Sequence, residues 1–242
     1  MTEAAVDGSV AAPAAVLVQP WHRAHPAGSV GGSLYAVDHA HRVDAARTLT
    51  AEGCRVHADV ILDEAGRQRG VTWSELTDVR RLVPDARIDL HLIHLGRPQA
   101  DQLLVHLDRA LQAVTMLAAS AVTLAPAHVV GHRRRLDRLR RAGHQLWAEV
   151  SPRTAATDLD DLDVDGALVM FIEPGTKSAA DLAQLTKVVE LSRRFPVAVD
   201  GGITRTIAPS CRDSGASYLV SGRDLLTVVP PTTASLQKGL QP

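Results

Sequence analysis

Short apolar segments rich in Val and Leu recur along this chain, and segments whose apolar residues recur at helical spacing lie between them. Side chains two apart in a strand share a face, and this distinguishes strands from helices in a sequence. Strands are predicted at residues 29–36, 55–62, 87–95, 121–124, 145–150, 166–172, 196–200 and 217–221. Helices are predicted at residues 39–53, 133–142, 155–159, 178–193 and 204–213. Two more are predicted, one capped by Ser74 and one that begins after Gly96. This alternation is typical of a parallel sheet that is covered on both faces.

Three of the predicted strands carry polar residues. His57 and Asp59 share one face of the second strand. His91 lies within the third strand, and Asp200 ends the seventh strand before two glycines. On a single strand, such residues are read more simply as the wet face of a half-buried sheet. Together, two imidazoles and two carboxylates are a plausible cage for a divalent metal ion, provided that their strands face a common centre.

A closed barrel brings the ends of all its strands to one centre, whereas an open sheet does not. We therefore predict an α/β fold, a single (β/α)8 TIM barrel with a loose N-terminal leader. The barrel is predicted at residues 31–230, after a flexible leader at residues 1–30 and before a C-terminal tail at residues 231–242. The chain of 242 residues is long enough to bury such a core.

Composition excludes several classes of function. The formal net charge of −1 gives no electrostatic reason to expect binding to nucleic acid or to an anionic membrane. The leader carries acidic Glu3 and Asp7 where a secretory signal would be basic, and its apolar patch is too short to cross a bilayer. Cys54 and Cys211 are far apart and lack a paired-cysteine motif, so we expect free thiols and a cytoplasmic protein.

Six motifs lie in order at the ends of the predicted strands. They are Ser-Leu-Tyr-Ala-Val-Asp at 33–38, His-Ala-Asp-Val-Ile-Leu at 57–62, His-Leu-Ile at 91–93, Val-Met-Phe-Ile-Glu-Pro-Gly at 169–175, Val-Asp-Gly-Gly-Ile at 199–203 and Leu-Val-Ser-Gly-Arg at 219–223. Through them the chain resembles the ribulose-phosphate 3-epimerase family, from about residue 32 to residue 226. Each motif alone is a weak signal, but six in the same order form a strong one.

The resemblance implies that His57, Asp59, His91 and Asp200 hold one divalent metal ion, and that Asp59 and Asp200 are catalytic. Epimerisation beside a carbonyl needs a base on one face of the carbon and an acid on the other. A metal ion stabilises the cis-enediolate charge. Zinc, iron(II), manganese and cobalt all accept such ligands, so the sequence does not distinguish among these metals. The resemblance also implies a homo-oligomer, most simply a dimer.

The expected partner is a small-molecule ketose phosphate, which would enter carbohydrate metabolism. The predicted substrate-binding residues are Ser33, Met170, Gly175, Thr176, Lys177, Ser178, Gly201, Gly202, Gly222 and Arg223. Ser33 and Met170 stand at positions where the resemblance implies substrate contact. The glycines allow the backbone to approach an anion closely.

The chain departs from the family beside the substrate. A family loop of sequence Gly-Phe-Gly-Gly-Gln reads Gly-Thr-Lys-Ser-Ala at residues 175–179, so Lys177 and Ser178 replace two glycines. Lys177 and the hydroxyls of Thr176 and Ser178 could then bind the phosphate in their place. Arg223 replaces a serine, where a guanidinium could meet a phosphate; both cations are equally well read as solvated surface charges. Ile61 and Ile93 replace two adaptable methionines, which predicts a reshaped pocket. The reshaped pocket favours a substrate other than ribulose 5-phosphate, such as a hexulose phosphate or a ketose of a specialised pathway.

Two other functions stay open, a non-catalytic phosphosugar-binding or regulatory barrel and an epimerase of an unphosphorylated ketose. Decarboxylases with this barrel need an Asp-x-Lys-x-x-Asp cluster, which follows no strand in this sequence. A serine nucleophile elbow and a phosphate-binding P-loop are also missing from the sequence. His94 is expected to be a loop residue, with a contact at the rim of the site as the alternative. The histidines expected to be solvated are His22, His25, His39, His41, His106, His128, His132 and His144.

Overall fold

Eight parallel strands close into a barrel in the order in which they occur along the chain. The structure is a computed structural model that describes residues 15–96, 100–176 and 178–230, with only the backbone described at 100–103. The barrel strands are β2 (Val30–Ser33), β3 (Arg55–Leu62), β4 (Ile88–His94), β5 (Ala121–Leu124), β6 (Gln145–Val150), β7 (Gly166–Met170), β8 (Val197–Asp200) and β9 (Ala216–Ser221). The predicted TIM barrel is therefore confirmed.

The strands alternate between two buried faces. On β3, Val56, Ala58 and Val60 are buried in the large apolar layer between the barrel and its helices. The side chains of His57 and Asp59 lie on the opposite face of the strand and point into the barrel. Both are buried as well, with 2% and 6% of their surface exposed. The simpler interpretation of these residues as the wet face of a sheet is thus wrong.

Register in the barrel places the polar residues at one end. Asp59 of β3 stands opposite His91 of β4, and Met170 of β7 stands opposite Asp200 of β8. Ser33 ends β2 opposite His57. Deeper in the barrel, side chains such as Trp147, Leu168 and Tyr218 form a separate apolar cluster, as expected for a filled core. This set of polar residues therefore lies at the end of the barrel that the carboxyl ends of the strands form.

Helices cover the outside of the barrel. They are α1 (Arg42–Ala51), α2 (Trp73–Leu82), α3 (Ala100–Met116), α4 (Pro126–Gly131), α5 (Arg133–Arg141), α6 (Leu185–Leu191) and α7 (Ala208–Asp213). Short 3-10 helices lie at Pro20–Ala24, Leu34–Ala36, His39–His41, Ala156–Leu159 and Leu182–Gln184. The helix predicted at 178–193 begins later, because the side chain of Asp181 accepts a hydrogen bond from the Ala183 N–H and caps the segment there.

Thr72, not the predicted Ser74, caps α2. The Thr72 hydroxyl accepts a hydrogen bond from the Glu75 N–H at 3.3 Å, and the Glu75 carboxylate accepts one from the Thr72 N–H at 2.7 Å. This reciprocal capping box needs an acid three residues after the cap. Thr72 has Glu75 at that spacing, whereas Ser74 has Thr77 and lies inside the helix.

A two-stranded antiparallel ribbon accompanies the barrel, formed by β1 (Ala15–Val18) and β10 (Leu226–Val229). Val16 is buried, and the Thr48 hydroxyl of α1 donates to its carbonyl at 3.3 Å. Part of the predicted loose leader is thus structured, because β10 offers its backbone groups to a partner strand. Residues 1–14 and the predicted tail at 231–242 lie outside the described residues.

The two cysteines and the lengths of the helices bear on the expected thiol chemistry and on membrane insertion. Cys54 and Cys211 are both free and buried. Burial raises the pKa of each thiol to about 11, so both are neutral at pH 7. Over the described ranges, no helix has the length and apolar character needed to cross a membrane.

Candidate functional site

Four side chains converge at the carboxyl end of the barrel. They are His57 and Asp59 of β3, His91 of β4 and Asp200 of β8, and one nitrogen or oxygen from each lies within 4.8 Å of the others. His57 Nε2 is 3.2 Å from Asp59 Oδ1 and 3.7 Å from Asp200 Oδ2. His91 Nδ1 is 3.3 Å from the same Asp59 oxygen. The structure therefore brings together the four residues that the sequence predicted as metal ligands.

The geometry of this cluster fits a divalent metal ion. Two atoms bound to one ion at about 2.0–2.2 Å and near-tetrahedral angles lie roughly 3.3–3.6 Å apart. His57 Nε2 and His91 Nδ1 are buried, and neither has a hydrogen-bond partner of acceptable geometry. A lone pair facing a carboxylate at this distance is unfavourable unless a proton or a cation lies between them. The donor set of two imidazoles and two carboxylates suits zinc, iron(II), manganese and cobalt.

Each carboxylate is also held by its second oxygen. The buried Ser33 hydroxyl donates to Asp59 Oδ2 at 2.6 Å. The Gly201 N–H donates to Asp200 Oδ1 at 2.6 Å. These contacts leave Asp59 Oδ1 and Asp200 Oδ2 directed at the histidines. Ser33 was predicted as a substrate contact; it does line the cavity, but its hydroxyl is bonded to Asp59.

The two central carboxyls differ in pKa. Burial, followed by the charge of Asp59, raises the pKa of Asp200 to about 6. Burial acts in the same direction on Asp59, but the nearby imidazoles of His57 and His91 outweigh it and lower the pKa. Asp59 is thus the more acidic carboxyl of the pair, and Asp200 gains a proton first as the pH falls through about 6. A cation at the centre would favour the charged form of both.

A cavity of about 650 Å³ opens above these residues. Asp59 and Asp200 form part of its lining, and Ile61 and Ile93 form part of its apolar wall. The predicted substrate-binding residues that line it are Ser33, Met170, Gly175, Thr176, Ser178, Gly201, Gly202, Gly222 and Arg223. Lys177 lies outside the described residues. The binding roles of all these residues stay predictions.

Glycines let the loops at the mouth of the cavity pack closely. A Cβ atom on Gly175, where φ is +79°, would lie 2.7 Å from Cδ2 of Leu95 on the loop after β4. A Cβ atom on Gly202, where φ is +71°, would lie 3.0 Å from the backbone nitrogen of Ala180. Any other residue at these positions would be strained and crowded. Loop packing therefore accounts for both glycines, whether or not they also bind an anion.

Sequence reasoning missed Glu149 on β6. This side chain is 8% exposed, and its Oε2 lies 2.8 Å from His91 Nε2. Glu149 and Trp147 are two apart, so they share the inner face of their strand. A lone acid that follows three apolar residues within a predicted strand was the signal that could have identified it.

A group of three histidines also lies close to the end of β4. His94 Nε2 is 3.2 Å from His106 Nδ1, and the ring of His128 meets His94 edge-on at 4.9 Å between centroids. Burial lowers the pKa of His94 to about 3, so its ring is neutral. His128 is buried, and so is His22 near the ribbon, so the expectation that both are solvated is wrong. Histidines on the leader and on helices were treated as solvated in the sequence, but the side chains of these two are buried.

Comparison with known proteins identifies a family and a fold. The model of the ribulose-phosphate 3 epimerase family matches residues 29–226. None of the curated proteins matches the chain. A mutant tryptophan synthase alpha-subunit from Pyrococcus furiosus is similar in structure, with 15% identity, a TM-score of 0.59, and 82% of this chain and 88% of that chain covered.

Two further solved structures have the same architecture. Phosphoribosyl anthranilate isomerase from Thermus thermophilus has 11% identity and a TM-score of 0.56, covering 80% of this chain and 86% of that chain. KGPDC from Streptococcus mutans has 14% identity and a TM-score of 0.57, covering 82% and 89%. At such low identity these likenesses show the fold alone.

Proposed function

Because the chain belongs to the ribulose-phosphate 3-epimerase family, we propose that it is a metal-dependent 3-epimerase of a ketose phosphate, either one like ribulose 5-phosphate or a hexulose phosphate. One observation carries the proposal. Asp59 and Asp200 come from β3 and β8, which are separated by two strands around the barrel, and both reach His57 at the floor of one cavity. A ketose in this cavity would lie within reach of two carboxyls from different sides.

The two carboxyls carry out the proton transfers in this proposal. One carboxylate removes the proton from the carbon beside the carbonyl, and the other carboxyl returns a proton to the opposite face. Ser33 and the Gly201 N–H hold the outer oxygens of the two carboxyls, so the inner oxygens stay directed at the centre. A divalent cation held by His57, Asp59, His91 and Asp200 would supply Lewis-acid stabilisation of the enediolate charge.

We place the phosphate of the substrate near Arg223, Ser178 and the glycine-rich ends of β8 and β9. These residues line the cavity, and a guanidinium is a good partner for a phosphate. The Thr176 hydroxyl donates to the Glu173 carbonyl at 2.7 Å, so it would have to leave that bond to bind an anion. Thr176 is therefore the weaker candidate among the predicted phosphate contacts.

An unphosphorylated ketose is the second candidate substrate. Among the described residues that line the cavity, Arg223 has the one cationic side chain, and Asp224 beside it is acidic. That arrangement supports weaker binding of an anion than several converging donors would give. Equal activity on a ketose phosphate and on its dephosphorylated analogue would favour this candidate.

Deuterium exchange tests the proposed chemistry. The metal-loaded protein in D2O should replace the hydrogen on C3 of ribulose 5-phosphate or of a hexulose phosphate with deuterium, as followed by NMR. Asp59→Asn and Asp200→Asn should each lower the exchange rate by several orders of magnitude, since an amide neither takes nor returns the proton.

Asp89→Asn is the matched control. Asp89 is a buried carboxyl of β4 that accepts a long hydrogen bond, 3.5 Å, from Arg55 and does not line the cavity. This variant should keep its activity. If the metal-loaded wild type exchanges the C3 hydrogen of neither a ketose phosphate nor a free ketose, the result would instead support a non-catalytic binding barrel.

The proposal also covers the location, the assembly and the partners of the enzyme. We propose a cytoplasmic homo-oligomer, most simply a dimer, that takes a small-molecule substrate and binds neither nucleic acid nor membrane. Large apolar side chains exposed on α3 and α4, among them Met116 and Val130, support association between copies. Sedimentation at micromolar concentration should show the dimer; a monomer alone would contradict this part.

A further inference from the structure

Glu149 is a buried carboxylate that the proton transfers do not use. It lies on β6, two strands away from β4, and its Oε2 is 2.8 Å from His91 Nε2. The cavity lining does not include it. A buried charge is costly unless another group compensates it, so its contact with His91 calls for an explanation.

The two ring nitrogens of His91 face two different carboxylates. Nδ1 faces Asp59 Oδ1 at 3.3 Å, toward the centre, and Nε2 faces Glu149 on the other side. A neutral imidazole carries one N–H and one lone pair. If Nε2 carries the hydrogen, it donates to Glu149 and the Nδ1 lone pair points at the centre. The other tautomer would set the Nε2 lone pair against a carboxylate and direct an N–H at the place of the cation.

We propose that Glu149 is a positioning residue that fixes His91 in the Nε2–H tautomer and holds its ring, so that Nδ1 serves as the metal ligand. The inference rests on the metal centre of the proposed function. Hydrogen bonds from a carboxylate to the outer nitrogen of a metal-bound histidine fix its tautomer and raise its basicity as a ligand.

The second histidine of the centre provides an internal comparison. His57 Nε2 faces Asp59 and Asp200, but its Nδ1 is buried without a hydrogen-bond partner among the described residues. His91 is thus the histidine that a carboxylate holds from outside. Loss of Glu149 leaves both imidazoles without such support.

Metal affinity tests the inference without any sugar. Metal-free wild type, Glu149→Gln and Glu149→Leu are titrated with Co(II) against a chromophoric chelator. Glu149→Gln keeps an acceptor but loses the charge, and we expect about tenfold weaker binding; Glu149→Leu removes the acceptor, and we expect a loss of up to about a hundredfold. Asp89→Asn removes another buried carboxylate of the barrel, which accepts a hydrogen bond from Arg55, and it should bind Co(II) like wild type.

Two spectroscopic readouts separate positioning from a general loss of stability. In Zn(II)-loaded wild type, 15N NMR of the histidines should show His91 protonated at Nε2 and bound through Nδ1. The visible absorption of the Co(II) form should change in Glu149→Leu and stay as in wild type in Asp89→Asn.

Each outcome decides for or against the inference. Wild-type affinity in Glu149→Leu, equal weakening in Asp89→Asn, or His91 protonated at Nδ1 would overturn it. Tight binding in wild type that weakens in both Glu149 variants supports it even if the protein epimerises no ketose, in which case the proposed function alone fails. A wild type that binds neither Co(II) nor Zn(II) overturns both.

Discussion

Asp59 is the residue on which most contacts of the centre depend. One oxygen meets His57 and His91, and the other accepts the Ser33 hydroxyl at 2.6 Å. Ser33 therefore acts on the centre through Asp59, although the resemblance to the family had suggested a contact with substrate. Removal of the Ser33 hydroxyl leaves Oδ2 of Asp59 without this hydrogen-bond donor.

Ser33→Ala should weaken metal binding and lower turnover. A hydrogen bond to a charged group contributes about 1.5–3 kcal/mol, which corresponds to roughly a ten- to hundredfold change. Ser221→Ala is the matched control, because Ser221 is also buried but donates to the Ile203 carbonyl. Metal titration and steady-state kinetics of the two variants check this. Similar effects in both would argue that any buried serine of the barrel has this importance.

Arg223→Ala and Lys177→Ala should raise KM far more than they lower kcat. If these cations hold a phosphate, they act on a group remote from the reacting carbon. The expected increase in KM is roughly ten- to hundredfold for one charge-assisted contact. Arg67→Ala, which removes an exposed cation paired with Asp63, is the control and should leave KM unchanged. Unchanged KM in all three variants would indicate a neutral substrate.

At the scale of elements, α2 shows how a cap selects the start of a helix. Thr72 and Ser74 both have the chemistry of a cap, and only Thr72 has an acid three residues later. The Glu75 carboxylate also accepts hydrogen bonds from the Thr72 hydroxyl at 2.7 Å and from buried Arg42. The start of α2 is thereby tied to α1.

Thr72→Ala should lower the free energy of unfolding by about 1 kcal/mol, within a range of roughly 0.5–2 kcal/mol, because it removes the acceptor for the first turn. Ser74→Ala should change it little. Urea denaturation of the two variants checks this. A larger loss in Ser74→Ala would restore Ser74 as the cap.

Glu75→Gln should destabilise the protein more at neutral pH than in acid. Burial acts to raise the pKa of Glu75, but hydrogen bonds from Thr72 and His39 and the charge of Arg42 outweigh it and lower the pKa below 4.5. A carboxyl with a lowered pKa stabilises the fold above its unfolded pKa and loses this effect as the pH falls through the folded value. The difference in unfolding free energy between wild type and variant should therefore be largest at pH 7 and should shrink as the pH is lowered below 4.5. A constant difference would contradict this account.

At the scale of the whole molecule, the centre ties distant parts of the barrel together. Its ligands come from β3, β4 and β8, and His57 and Asp200 are far apart in the sequence. A cation bound to all of them would connect both halves of the chain. Binding to the folded state alone shifts the folding equilibrium toward it.

Removal of metal by a chelator should therefore lower Tm. Free metal at about 100 times Kd adds about 2.7 kcal/mol, which corresponds to roughly 5–10 °C for a chain of this size. Calorimetry with and without EDTA measures the shift. His91→Ala should show a much smaller difference between the two conditions. An equal shift in that variant would place the stabilising metal elsewhere.

The sequence by itself determined the barrel and the four central residues. Alternation with a period of two placed His57 and Asp59 on one face, and the order of strands and helices required parallel strands whose ends converge. His91 and Asp200 could then be added, because His91 stood within the third predicted strand and Asp200 ended the seventh. These inferences need only local periodicity and the closure of the sheet.

Only the tertiary structure decided which residues support the centre. Glu149 and His91 are 58 positions apart, and the stagger of the closed barrel sets Glu149 at the depth of His91. The meeting of His94 with His128 and the pairing of β1 with β10 likewise join segments that are distant in the sequence. Periodicity reveals the face of a strand on which a side chain lies, but depth in the barrel and contact between distant segments follow from packing.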